Sequence, residues 1–227
     1  MKMGLSKRIR ESTKKAHTIA ESASAVVLYL KGAIERESYI RLLTDYYFIY
    51  TALEDGLQYN RDNKAVIDID DSALYRTKAI SKDLKYFLGE DWYDIITPSP
   101  SASVYVDRIN FISRNNPELL VAHHYTRYLG DLSGGQILKN ITKTALKLPE
   151  KALNFYIFTR ISNPAEYKVG YRDRLDRLPL TQNDEDVFIR ECNRSFKMSS
   201  DVMSEMSQSN LVTTIKRLVG RLLTNPY

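Results

Sequence analysis

The sequence predicts an all-α protein, and three observations carry that prediction. Apolar residues recur at spacings of three and four over long segments, which is the period of one face of a helix. Alternating runs closed by hairpin-type turns are absent, so no stretch reads as a β-ribbon. The seven prolines, at 98, 100, 117, 149, 164, 179 and 226, fall between the periodic segments. They act as punctuation, because a proline inside a helix loses a hydrogen bond and clashes with the preceding turn.

Helices are expected over residues 5–30, 36–60, 72–88, 101–114, 117–147, 164–178 and 182–223, the last open to a break. Two starts are well marked. Asn116-Pro117-Glu118 and Asn163-Pro164-Ala165-Glu166 each offer a capping side chain, a proline at the first helical position and an early acid. Asp70-Asp71-Ser72 and Thr181 are weaker starts of the same kind, and Thr97-Pro98-Ser99-Pro100 reads as a loop. With 227 residues, no repeat and no low-complexity segment, one domain over residues 1–227 is expected. The 16 tyrosines, Tyr46, Tyr47 and Tyr50 among them, suit core and boundary positions where their hydroxyls need partners.

Composition narrows the function classes. The formal charge is +5 and the pI near 9.1, with Lys2, Lys7, Arg8, Arg10, Lys14 and Lys15 crowded ahead of His17; an anionic partner fits there. No zinc pattern, RNA-binding signature or basic helix joined to heptads supports nucleic acid. The single cysteine, Cys192, excludes an internal disulfide and a metal site built on several thiolates. No apolar run reaches bilayer length, and the N-terminus lacks a signal-type core. A soluble protein of the cytoplasm or a plastid stroma is expected, with no membrane and no nucleic acid as partner.

The segment Leu132-Ser133-Gly134-Gly135-Gln136 matches the signature peptide of ABC-type ATPases. That machinery also needs a P-loop, and none of the nine glycines is followed by Lys and then Ser or Thr, so nothing would hold the phosphates. The glycines still require a reason, since Gly130, Gly134 and Gly135 are costly in a helix. Gly130 and Gly134 share one face. Either another helix packs closely there, or a flat ligand lies against a helix able to bend. Asp131 is then the polar group nearest that opening, or else an ordinary surface acid paired with Arg127 four residues back.

On the first helix Arg10, Lys14 and His17 share a face, with Glu21 one turn further on. A carboxylate at that spacing can orient an imidazole whose other nitrogen binds a metal; a surface or satisfied core histidine is the plainer reading. His123 and His124 are adjacent, so they cannot bind one metal from one face, and both are expected to meet solvent. Lys168 and Arg172 lie four apart and form either an anion clamp or a solvated stripe.

Together, TKKAHTIAE (13–21) and AHHYTRYLGDLSGGQILK (122–139) resemble the two sequence hallmarks of the haem oxygenases. The similarity continues more loosely through YFIYTALED, YKVGYRDRLD and ECNRSFKM, and so covers most of the chain in order. The hallmarks look like the cyanobacterial and plastid type; with the first of them beginning at Thr13, no cleaved transit peptide and a bacterial, phage or plastid-encoded origin are expected. The resemblance implies a helical fold with haem b, as substrate and oxygen-activating cofactor, sandwiched between a proximal helix and a kinked distal helix, with no other tightly bound metal. It assigns His17 as axial iron ligand, with Glu21 and Arg127 behind the primary contacts. Gly130 and Gly134 become the distal wall, with Gly135 beside them, and Asp131 organises distal water. Arg10, Tyr125, Lys168 and Arg172 match the positions that meet the propionates; arginine at position 10 stands where some relatives carry lysine. The implied reaction is oxidative cleavage at the α-meso carbon to biliverdin IXα, CO and ferrous iron, using O2 and electrons from reduced ferredoxin, with a bilin reductase downstream. A haem carrier or sensor with the same pocket but no turnover is the alternative.

Overall fold

The structure, a computed structural model, describes residues 3–22 and 24–224, and the side chains of residues 21, 24, 25 and 207–224 lie outside the description. Among the described residues the secondary structure is helical throughout, with no strand. The first periodic segment is two helices, α1 (Leu5–Ser22) and α2 (Ser24–Leu30). Then come α3 (Arg36–Tyr59), α4 (Lys64–Ile69), α5 (Thr77–Leu88), the short α6 (Trp92–Ile95) and α7 (Pro100–Asn115). A 3-10 turn leads into α8 (Leu120–Asp131), followed by α9 (Gly135–Ala145), α10 (Pro164–Asp176) and the unbroken α11 (Gln182–Thr224).

The centre of the core is α3, which packs against α5, α7, α8 and α11. Its Leu43, Ile49, Tyr50, Leu53 and Leu57 are fully buried, and each such aliphatic side chain contributes about 1.5–3 kcal/mol of burial free energy. Tyr105, Ile109 and Ile112 of α7 and Phe188 of α11 face the same interior.

Of the two well-marked starts, the one at Asn116 is not capped: its side chain makes no cap bond, Pro117–Leu119 forms a 3-10 turn and α8 begins only at Leu120. The Asn163 side chain accepts from the amides of Ala165 and Glu166 at 3.2 Å each, so α10 begins at Pro164 as expected. Thr181 opens α11 through a reciprocal box: its hydroxyl accepts from the Asp184 amide at 3.2 Å, and Asp184 accepts from the Thr181 amide at 3.0 Å. The expected start near Asp71 is displaced to Thr77. There the buried Glu54 of α3 accepts from the amides of Arg76 at 2.5 Å and Thr77 at 3.1 Å, a cap supplied from 22 residues away. Helix α4 falls between the expected segments; Asn63 caps it by accepting from Ala65 and Val66.

Helix α1 is anchored at its first turn. Asp176, the last residue of α10, accepts from the Ser6 amide at 2.6 Å and the Ser6 hydroxyl at 2.9 Å. A Cβ on Gly4 would meet that carboxylate at 2.7 Å, so only glycine allows it so close. A carboxylate at the first turn of α1 also complements the positive end of the helix dipole. From α11, Glu185 and Asp186 accept from Arg8. Helix α1 is thereby held against α10 and α11.

Candidate functional site

From α1, Arg10, Lys14 and His17 face a cleft of about 740 Å3, whose wall also includes Tyr125 of α8, Arg172 of α10 and Phe196 of α11. The exposed His17 ring meets Phe196 edge-on at 5.6 Å and 71°, so an aromatic edge stands beside the imidazole. Among the described residues no group of three or more His, Cys, Asp or Glu side chains is arranged to hold a metal ion. One imidazole among the described residues of a cationic cleft suits a metal that arrives with its own ligands. Glu21, expected to orient that ring, has its side chain outside the described residues.

The segment expected as one helix over 117–147 is broken at the glycines. Helix α8 ends at Asp131 and α9 begins at Gly135, with a tight turn in which Ser133 N donates to Gly130 O at 3.1 Å and Gly134 N to the same oxygen at 2.8 Å. A Cβ on Gly130 would meet nothing within 4 Å, and one on Gly134 only the Gly130 carbonyl at 3.7 Å. These two glycines therefore leave bare main chain against open space, and close packing of another helix is not their reason. Gly135 differs: its Cβ position faces Tyr156 at 3.7 Å and Asp131, inside the protein. All three, with Asp131, Tyr46, Phe155 and Met203, line a cavity of about 110 Å3.

Asp131 is not an ordinary surface acid paired with Arg127. The Tyr50 hydroxyl donates to it, and Arg127 donates to the Tyr50 oxygen from Nε at 3.1 Å and Nη2 at 3.0 Å. Arg127 is buried and stacks over Tyr46 at 4.3 Å, which turns its guanidinium toward Tyr50. Burial pushes the Asp131 carboxyl up from its ordinary value, while the Arg127 charge and the Tyr50 hydrogen bond oppose that rise. The sequence gives no sign of this role for Tyr50, because its partner lies 81 residues away and nothing local marks it.

The predicted cation pair divides. Arg172 lines the cleft, whereas Lys168 reaches the glycine turn and donates to the Ser133 hydroxyl at 3.1 Å. His123 and His124, expected to meet solvent, are both 0 % exposed. His123 bonds Glu191 at 2.9 Å and Tyr105 at 3.2 Å; His124 bonds Tyr171 at 2.8 Å. Helix α8 is enclosed by α3, α4, α7 and α11, so adjacent positions can both be covered.

The sequence model of the family described as heme oxygenase matches residues 3–205. The chain belongs to the heme oxygenase family. The heme oxygenase of the red alga Pyropia yezoensis is 42% identical over 222 residues, 97% of this chain and 91% of that one. Heme oxygenase 1 of Nostoc sp. is 40% identical over 225 residues, 99% and 94% of the two chains. Among solved structures, heme oxygenase-1 from the cyanobacterium Synechocystis in complex with heme superposes with a TM-score of 0.90 at 36% identity, covering 98% of this chain and 100% of that one. Heme oxygenase-2 from Synechocystis, in complex with heme and NO, gives 0.88 at 41% identity, with 91% and 86% covered.

In this haem oxygenase the predicted site residues fall into two compartments. His17, Arg10, Tyr125 and Arg172 share the larger cleft; Gly130, Asp131, Gly134 and Gly135 share the smaller cavity. Helix α8 joins them, since Tyr125 and Asp131 lie on it within two turns. A redox partner belongs to the activity of the family, and no described helix is long and apolar enough to cross a membrane.

Proposed function

We propose that this chain binds haem between α1 and the glycine turn and cleaves it at the α-meso carbon to biliverdin IXα, CO and ferrous iron, with ferredoxin as electron donor. The observation that carries the reading is the pair of glycines whose Cβ positions face open space directly beside a half-buried, hydrogen-bonded carboxylate. A flat macrocycle can approach bare backbone there, and the carboxylate network lies one residue away. The residues fit the group: one imidazole for the iron, and Arg10, Arg172 and the Tyr125 hydroxyl for two propionates.

Haem, when bound, supplies the iron at which dioxygen is reduced. The protein holds and orients it. His17 would offer the iron an imidazole nitrogen from α1. Gly130 and Gly134 admit the ring and restrict the space above it to one side. Asp131, fixed by Tyr50 and through it by Arg127, would hold a proton donor near that space. Lys168, which donates to the Ser133 hydroxyl at the glycine turn, would offer a further cation to a propionate. Arg10 and Arg172 fix which edge faces the reacting side. The cationic run Lys7, Arg10, Lys14 and Lys15 gives an acidic ferredoxin faster encounter.

The test is incubation of purified protein with hemin and ascorbate. Decay of the haem band into a biliverdin spectrum supports the proposal; a persistent band identifies a carrier or sensor, and no uptake removes haem from the site. Replacing ascorbate by reduced ferredoxin at low and high salt tests the donor, with salt-dependent turnover expected.

A further inference from the structure

The buried His124–Tyr171 pair lies behind the cleft and lines neither compartment of the site. The geometry points to this pair as the positioning element that sets the spacing of the residues next to it, Tyr125 and Arg172, and thereby selects which edge of the macrocycle is cleaved. The inference rests on the haem-cleaving reading. His124 Nδ1 and the Tyr171 hydroxyl are 2.8 Å apart, their rings lie 12° from parallel with centroids 5.5 Å apart, and both residues are 0 % exposed.

Among the described residues this is the one hydrogen bond joining α8 to α10. Helix α10 packs its backbone chiefly on α1 and α4, and its first half is tied to the turn beyond α4 by Tyr167, which donates to Asp71 at 2.8 Å. The side-chain bridge therefore sets the distance between α8 and α10 at this level. One position further along each helix, about 100° round its axis, Tyr125 and Arg172 turn into the cleft that holds His17. A change in the length of the bridge is passed directly to both.

Packing alone does not call for a histidine here. Its Nε2 is buried without a hydrogen-bond partner, and phenylalanine would fill the space with no unsatisfied nitrogen. What phenylalanine lacks is the polar link to Tyr171. A ligand with both anionic groups on one edge is turned about its central axis when one of the groups holding them shifts, and a displacement of about 1 Å is enough to alter reaction outcome strongly.

The experiment compares wild type with His124→Phe, Tyr171→Phe and His124→Asn. Tyr171→Phe removes a single oxygen and keeps the ring, so it reports on the link even if the histidine variant folds poorly. Seating of ferric haem is read by hyperfine-shifted methyl resonances, and edge selection by chromatography of the bilin isomers made with ascorbate. The phenylalanine variants are expected to take up hemin, to show a second seating, and to lose isomer selectivity by about tenfold; His124→Asn, which keeps a hydrogen-bonding group toward Tyr171, restores one seating. Folded, haem-loaded phenylalanine variants with wild-type resonances and a single isomer overturn the proposal. Altered seating in a protein that makes no bilin would support the pair while removing the haem-cleaving reading.

Discussion

Tyr50 donates its hydroxyl proton to Asp131 while its oxygen receives two N–H groups of Arg127. The arrangement makes a half-buried carboxylate the end of a fixed chain instead of a freely rotating acid. It also explains why an aspartate can remain in place beside a turn of glycines. Loss of the tyrosine hydroxyl should loosen the acid, and loss of the acid should end its proton function altogether.

Asp131→Ala is expected to bind hemin as wild type does and to form no biliverdin with ascorbate. Tyr50→Phe should retain the carboxylate but lower the single-turnover rate about tenfold, equivalent to about 1.4 kcal/mol. Absorbance-monitored single turnover measures both, and a wild-type rate for Asp131→Ala would remove the role assigned to it.

Gly130→Ala separates ligand access from folding. A methyl group there meets nothing within 4 Å, and alanine is favoured over glycine in a helix by up to about 1 kcal/mol. The variant should melt at or above the wild-type temperature while its hemin affinity falls. Gly135→Ala meets only ordinary contacts and should affect hemin affinity far less. Calorimetry with hemin titration checks the contrast; equal affinities for wild type and Gly130→Ala would mean the open face is not used.

The helical class, the Asn163 and Thr181 starts and the glycine-bearing segment were legible because each is written in a few consecutive residues. What stayed hidden depends on distant partners. Glu54 moves the start of α5 to Thr77, and no pattern near Asp71 records that. His123 and His124 carry no local mark of burial, since enclosure of α8 on several sides is a property of the packing. The glycines announced a bend and a bare surface, but only the space around each separates Gly130, facing the opening, from Gly135, facing Tyr156.

Acid stability should depend on Glu191. Burial alone would raise its carboxyl, but hydrogen bonds from His123 and Arg108 outweigh burial and hold it down to about 2. A carboxylate with a folded value below its unfolded one contributes stability fully above the ordinary value of 4.5 and loses it as pH falls toward 2. Glu191→Gln should be less stable than wild type at pH 7 and lose less stability on acidification through that window, where one proton is worth at most about 1.4 kcal/mol per pH unit. Denaturant titrations from neutral pH downward measure the slope; parallel curves for the two proteins would show that Glu191 does not carry it.

The most direct test of haem ligation by His17 is the axial signature of ferric haem in wild type and in His17→Ala, read by electron paramagnetic resonance and by the iron–nitrogen stretch of the reduced form. An imidazole signature is expected in wild type, with its loss in His17→Ala and its return when free imidazole is added. The same iron–nitrogen signature in His17→Ala without added imidazole would contradict the assignment.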